Sequence, residues 1–367
     1  MSWPAPPQHL VLVAPPLVLS GPALAACTLG RGLQAHGLGV VVLSPGGGLA
    51  PLLERAGVAH VALPWLAVRP LRALAGWLLG RRLRRLEPRL VHAVGVLQIE
   101  LGMRLARAIR TPLFASVYRP SRRVPDRGIR WEAVALASVP SDALRQDLVN
   151  QRRAPRERVR VVPGGVEAGP EPPRLPLAEP RAAPVIGTVV EHDKPASAEV
   201  FLQAARSVLE VRPETQFLVA IGAETPQRAL RQRAQELGLV RNLTFATAVE
   251  LRRLLVEMDL CVLPDVEEGP TPVLLEAMAA ARAVLAGAEG DAYAVVRDEQ
   301  TGLLFPSANA EALAAALARL LAQPALAQQL GAAARRAVIS DYPLERLVRD
   351  TLAMYARGGV ELPAGSS

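Results

Sequence analysis

The sequence predicts an α/β protein made of two doubly wound, Rossmann-like domains with a ligand cleft between them. Three observations carry that expectation. Short β-rich apolar runs alternate with helix-period segments along most of the chain, the pattern of parallel strands joined by crossover helices. The alternation halts once, at a proline-rich stretch, and then restarts. The length of 367 residues, with 50% hydrophobic and 21% charged content, suffices for two cores of ordinary size and excludes wholesale disorder.

Leu10–Ala14 predicts the first strand, followed by a helix from Pro22 to His36. Pro22 suits the first helical turn, where its missing N–H costs nothing, and Gly37 suits the left-handed cap. Val40–Leu43 is the second strand, and Gly46-Gly47-Gly48 leads into a short helix ending at Gly57. Further strands are expected at Val58–Leu63, Leu90–Val94, Pro112–Val117, Ala133–Val139 and Val159–Val162. Ser141 is placed to cap the helix before the last of these. From Pro163 to Pro184 the chain carries seven prolines in 22 residues, the composition of a stiff extended connector. Beyond it, strands are expected at Val185–Val190, Gln216–Ile221, Leu243–Phe245, Leu260–Leu263, Ala283–Ala286 and Leu303–Phe305. Helices from Ala308 to Leu321, Ala325 to Val338 and Leu344 to Ala356 close the chain. The division read from this is 1–168, a linker at 169–184, a second domain at 185–340 and a closing segment at 341–367. In doubly wound domains, ligands bind outside the carboxyl ends of the strands.

The net charge of +8 raises the question of nucleic acid, but the basic residues are 41 Arg and a single Lys, Lys194. With abundant Ala, Pro and Gly, that balance reads as compositional drift toward arginine. Only 4% of residues are aromatic, too few for a base-stacking platform, so nucleic acid is not expected as a partner. Cys27 and Cys261 lack metal-ligand spacing and are expected to be small core residues in a reducing compartment. No apolar run reaches the ~18 residues of a spanning helix, and no signal peptide is recognisable, so a cytoplasmic protein is expected. His192 lies between Glu191 and Asp193 without further clustered ligands, so no metal is expected either.

The most informative window is Glu268-Gly269-Pro270-Thr271-Pro272-Val273-Leu274-Leu275-Glu276. It follows the Leu260–Leu263 strand and runs from a loop into a helix. At 3.6 residues per turn, the helix can bring Glu276 back beneath the loop that carries Glu268. Two carboxylates so placed suit sugar hydroxyls, since each oxygen accepts hydrogen bonds. The plainer alternative is a pair of solvated carboxylates at a helix start, which the macrodipole favours.

This window resembles the Glu-x7-Glu motif of retaining GT-B glycosyltransferases of the group 1, or family 4, kind. Leu90-Val91-His92-Ala93 resembles that family's Asp-Val-Val-His strand. Arg158 to Val166 resembles its pre-linker strand and turn, Val185-Ile186-Gly187-Thr188-Val189 the opening of its second domain, and Val296 to Leu304 the stretch after its donor site. The resemblance covers nearly the whole chain. It implies transfer of a sugar from a nucleotide-diphosphate donor to an unknown acceptor (a glycan, a lipid or a small molecule), with no cofactor. It further implies that Glu268 holds the transferred sugar as the catalytic residue and Glu276 the ribose hydroxyls. Gly269, Thr271, Lys194 and Gly187 would complete the donor site, while Gly21, His92, Tyr118 and Arg119 would line the acceptor side. The final helix would cross back toward the first domain.

The sequence also departs from the family. Read without gaps from Gly187, Glu191 falls where the family has a phosphate-binding Arg, and Ala196 where it has a Lys. A carboxylate there repels a diphosphate. Lys194, two residues short of the expected place, is the substitute in sequence, and Arg119, Arg122, Arg123, Arg127 and Arg130 form a basic loop beside Tyr118. Ser116-Val117-Tyr118 stands where the family has Thr-x-His, and tyrosine is no base near neutral pH. Ser20-Gly21-Pro22-Ala23 replaces a Gly-Gly turn, and Pro270 and Pro272 remove further backbone donors. The alternative reading is therefore a non-catalytic protein of the same fold that binds a sugar, a nucleotide or a partner enzyme. Last, a basic helix from Arg69 to Arg89, with Trp77 and Leu78, either touches an anionic membrane surface or is an ordinary solvated face.

Overall fold

The computed structural model describes residues 4, 9–72, 74–120, 129–170, 176–177, 183–192, 197–222, 227–247, 250–265, 270–289 and 292–362. The chain divides into two compact units, Met1–Gly165 with Leu344–Ser367, and Val166–Pro343.

In the first unit the strands are β1 (Leu10–Val13), β2 (Val40–Ser44), β3 (Ala59–Ala62), β4 (Leu90–Val94), β5 (Leu113–Ser116), β6 (Leu136–Val139) and β7 (Val159–Val161). They form a parallel sheet in the order β3-β2-β1-β4-β5-β6-β7. Central β1, read LVLV, is buried at every position and pairs Leu10 with Val40 on one side and with Leu90 on the other. Strands covered on both faces are apolar at nearly every position, which is why β1, β2 and β4 lack the alternation of a half-solvated strand. Gly47 makes the turn after β2 workable. Its φ is +142°, and a Cβ there would lie 2.5 Å from the Leu17 carbonyl oxygen.

The last helix, Leu344–Arg357, belongs to this first unit. Three glycines let it approach. Added Cβ atoms would lie 2.6 Å from Val348 at Gly32, 2.8 Å from Leu347 at Gly165, and 2.5 Å from Phe114 at Gly358. Tyr355 is fully buried beneath it, edge-on to Phe114 with ring centroids 4.9 Å apart.

The second unit repeats the plan with β8 (Val185–Val190), β9 (Gln216–Ile221), β10 (Leu243–Thr247), β11 (Leu260–Leu263), β12 (Ala283–Gly287) and β13 (Leu303–Phe305). The order is β10-β9-β8-β11-β12-β13, again all parallel. Both sheets thus run outward from a central pair in opposite directions, the doubly wound arrangement the sequence predicts.

The described part of the proline-rich stretch is fastened to the second unit. Arg252 Nη2 donates to the Glu167 carbonyl at 2.6 Å, and Arg335 Nη2 to that of Gly169 at 3.1 Å. Asp259, 1% exposed, accepts from the Leu177 and Val185 N–H groups at 3.0 and 2.8 Å. The second unit accordingly begins at Val166, where the sequence places the end of the first domain and a separate linker. Residues 171–175 and 178–182 of that linker lie outside the described residues.

Several elements differ in extent from expectation. The basic segment forms two helical pieces, Arg69–Arg72 and Ala75–Arg84, ending before Glu87, whose φ is +53°, and Pro88, which cannot continue a helix. The third strand shortens to Ala59–Ala62. The sixth shortens to Leu136–Val139, because Trp131–Ala133 winds into a 3₁₀ turn. Cys27 and Cys261 are free and buried, and burial pushes both thiols up to about 12, which leaves them poor nucleophiles. Among the described residues, no single helix is long and apolar enough to cross a membrane.

Candidate functional site

In the second sheet the strand order reverses between β8 and β11, which are hydrogen-bonded neighbours. Crossovers leave this pair in opposite directions, so a crevice opens at their carboxyl ends. A pocket lies there, lined by Val189, Glu191, Ser197, Leu263, Pro264, Asp265, Thr271 and Val273. Two helices begin at its rim, Ser197–Val211 and Pro272–Ala279. Thr271 caps the second of these: its Oγ1 accepts from the Leu274 N–H at 3.3 Å, and Pro272 fills the first turn without wasting a donor. The capping hydroxyl keeps its own hydrogen available for a ligand.

The described wall of the pocket carries acids and no base, where a diphosphate favours cations. Glu191 is 6% exposed and lines it together with Asp265. Among the described lining residues none is basic. Lys194, the sequence's candidate counter-charge, lies outside the described residues, as do Glu268 and Gly269.

Glu276 lies within the Pro272–Ala279 helix, but it is held from the side. Arg252, on the helix Leu251–Glu257, donates from Nε to its Oε2 at 2.9 Å. The same guanidinium donates to the Glu167 carbonyl, so it clamps the start of the second unit onto the carboxylate. No local pattern could have revealed Arg252, which lies 24 residues from Glu276 in sequence.

Gly187 is not a ligand-facing residue. It lies inside β8, paired with Cys261 of β11, and a Cβ there would lie 2.3 Å from the Met258 sulfur. Its role is to admit Met258 beneath the sheet, away from the pocket at the strand's other end.

In the first unit two of the expected acceptor-side residues, His92 and Tyr118, meet at Ser116. His92, on β4, is fully buried. Its Nδ1 is 2.6 Å from the Tyr355 hydroxyl and its Nε2 is 2.8 Å from Ser116 Oγ, which continues to Ser138 Oγ at 2.6 Å. Desolvation holds the imidazole neutral and lowers its pKa to about 3. His92 therefore serves the interior, where β4, β5, β6 and the last helix meet, and is corrected from a ligand-facing role to a packing one. Tyr118 is part-buried with its hydroxyl beside Ser116; burial pushes it up to about 12, so it is no base. Arg119 is 6% exposed, and its carbonyl accepts from Arg152 Nη2 at 3.2 Å, so this arginine is drawn into the protein. Arg122, Arg123 and Arg127 lie outside the described residues, and Arg130 is exposed. Gly21 opens the helix Gly21–Ala35 and is buried. Among the described residues no cluster of three or more His, Cys, Asp or Glu is placed to hold a metal.

Comparison with known proteins matches each unit separately. Residues 20–169 match the family described as Glycosyltransferase Family 4, and residues 183–323 that described as Glycosyl transferases group 1. The chain is 31% identical over 220 residues to a D-inositol 3-phosphate glycosyltransferase of Corynebacterium urealyticum, covering 55% of this chain and 51% of that protein. It is 29% identical over 250 residues to an alpha-maltose-1-phosphate synthase of Mycolicibacterium smegmatis, covering 62% and 64%. The chain thus spans between half and two-thirds of the length of these relatives. Among solved structures, Anabaena HepE in complex with UDP-glucose superposes with a TM-score of 0.75 at 15% identity, over 95% of this chain and 99% of that one. That likeness is one of fold. With both units matched in order and the doubly wound pair of domains shared, the chain belongs to the GT-B glycosyltransferases of group 1 and family 4.

Proposed function

We propose that the protein transfers a hexose from a nucleotide-diphosphate donor to a hydroxyl acceptor, with the anomeric configuration retained. The observation that carries this reading is the pocket between β8 and β11, at the reversal of strand order in the unit matching the group 1 family. In this reading Glu276 accepts from the ribose hydroxyls, Glu268 holds the transferred sugar, and Thr271 donates to the donor at the helix start. Lys194 supplies charge to the diphosphate. The acceptor hydroxyl oxygen bonds to the sugar's C1 on the face the donor leaves, as the bond from C1 to the β-phosphate oxygen breaks; the nucleoside diphosphate departs with that electron pair and takes up the hydroxyl proton. The names of the relatives suggest a phosphorylated polyol or sugar as the acceptor to try first, and HepE suggests UDP-glucose as the donor. The reading places the protein in the reducing interior of the cell.

One observation favours the second reading, a binding protein without turnover: the pocket wall carries Glu191 and Asp265 where a diphosphate requires cations. The experiment is a panel of nucleotide-sugars incubated with phosphorylated and free polyols, read by released nucleoside diphosphate and by the anomeric coupling of the product. Turnover with retention supports the transferase. Saturable binding of a nucleotide-sugar by calorimetry, without turnover on any acceptor, supports the binding protein.

A further inference from the structure

A surface unrelated to the nucleotide pocket stands out in the first unit. The helix Ala75–Arg84 buries Ala75, Leu79, Gly80 and Leu83 against the rest of the unit. Its packing is tight: a Cβ at Gly80 would lie 3.3 Å from Ala108, and Arg84 Nη1 donates to the Ala108 carbonyl at 2.6 Å. The opposite face is apolar where solvent should prefer polar groups. Trp77 is 82% exposed, and Leu74 and Leu78 are 50% and 45% exposed. Val68 and Leu71, just before, are 48% and 40% exposed. Five of the nine large hydrophobic side chains exposed among the described residues thus fall within eleven consecutive positions. At 100° per residue, Leu74, Trp77, Leu78, Arg81 and Arg85 share one face, with Arg82 at its border. Scattered exposed apolar residues need no explanation; a contiguous ridge does.

The charge beside the ridge has one sign. Arg81, Arg82 and Arg85 are exposed. From Ala56 to Leu86 the sequence holds six arginines and no Asp or Glu. On the neighbouring helix, Glu100 is paired with Arg104 at 2.7 Å. An apolar ridge centred on an indole, flanked by arginines without acids, matches an anionic bilayer. The indole and leucines seat at the headgroup boundary, while the guanidinium groups meet lipid phosphates.

We propose that this face docks the protein onto an anionic lipid surface. Leu74, Trp77 and Leu78 enter the interface, and Arg81, Arg82 and Arg85 meet the headgroups. The proposal is independent of the sugar-transfer reading, since none of these residues lines the pocket.

The test uses the full chain with two kinds of vesicle, phosphatidylcholine alone and phosphatidylcholine mixed with phosphatidylglycerol, read by co-sedimentation. Binding at least about tenfold tighter to the anionic vesicles is expected, and it should weaken with salt. Arg81→Gln with Arg85→Gln should lower that affinity about twenty-five-fold, at about fivefold per arginine near an anionic surface. Trp77→Ser with Leu78→Ser should lower it by a similar factor, with melting little changed because Trp77 is 82% exposed and Leu78 45%. Brominated lipid should quench the fluorescence of the parent, and the quenching should disappear in Trp77→Phe, which isolates the contact from overall charge. Failure to bind anionic vesicles, or binding indifferent to both pairs of substitutions, overturns the proposal; the latter would trace to the net charge of +8. A concentration-dependent dimer that Trp77→Ser dissolves overturns it too, assigning the face to a second copy of the chain.

Discussion

Glu276 accepts from Arg252, so a nucleotide that uses this carboxylate must share it with a guanidinium already in place. Glu276→Ala is expected to weaken nucleoside diphosphate binding by about 1.5–3 kcal/mol, the range for a hydrogen bond to a charged group. Calorimetry on a variant that melts like the parent measures it, and unchanged affinity removes Glu276 from the donor site. Glu191 poses the complementary question, because it places negative charge in the pocket. Glu191→Gln should strengthen nucleoside diphosphate binding by about 1 kcal/mol, a reasonable size for one charge partly screened by solvent, and leave nucleoside binding unchanged. An equal gain for both ligands would mean a general loosening of the pocket. At His92 the prediction concerns pH. Burial lowers its pKa to about 3, against 6.5 for an unperturbed imidazole. The unfolded chain therefore takes up a proton that the native state refuses. The sign follows: this stability is complete above about pH 6.5 and is lost as pH falls toward 3. Urea midpoints measured across that interval should fall less steeply in His92→Gln than in the parent.

Among the elements, the last helix has the most at stake. Leu344–Arg357 brings Tyr355 to His92 from 263 residues away. Tyr355→Phe keeps the ring against Phe114 but leaves His92 Nδ1 without its hydroxyl partner. The expected cost is about 1–3 kcal/mol of unfolding free energy, the penalty for a buried polar atom left unpaired. A denaturant titration reads it, and a cost near zero would mean that the imidazole turns to another partner. The helix Pro272–Ala279 is better written in sequence: Thr271 and Pro272 are the residues that start a helix, and they start one. The helix Ala75–Arg84 stops where Glu87-Pro88 requires it, short of the Arg89 that its charge pattern suggested. In both cases local chemistry decided the element.

At the scale of the whole molecule, one unit is continuous in sequence and the other is not. Val166–Pro343 contains its entire sheet, whereas the first unit needs Leu344–Ser367 to cover Phe114 and His92. A fragment of residues 166–343 is expected to unfold cooperatively by itself. A fragment of residues 1–165 should lack a sharp transition until residues 344–362 are joined to it. Calorimetry on the three fragments checks this, and a cooperative 1–165 would make the last helix dispensable. The two doubly wound sheets, their thirteen strands and the ends of a few helices were legible in the sequence. Apolar period, prolines and capping residues act within a few positions, and such signals survive without knowledge of neighbours. The reversal of strand order between β8 and β11 came only with the structure. What the sequence left open were the partners. Gly187 reads as a donor-loop glycine until Met258 is seen to occupy its missing Cβ, and His92 reads as a cleft residue until Tyr355 covers it. Arg252 on Glu276, and Asp259 on the backbone of Leu177 and Val185, were equally invisible. Each of these contacts joins residues on different elements, so its energy depends on how the elements pack, a property that no local pattern encodes. The sequence by itself determined which segments are strands and helices and that they form two sheets; tertiary packing alone decided which polar groups face a ligand and which are used within the fold.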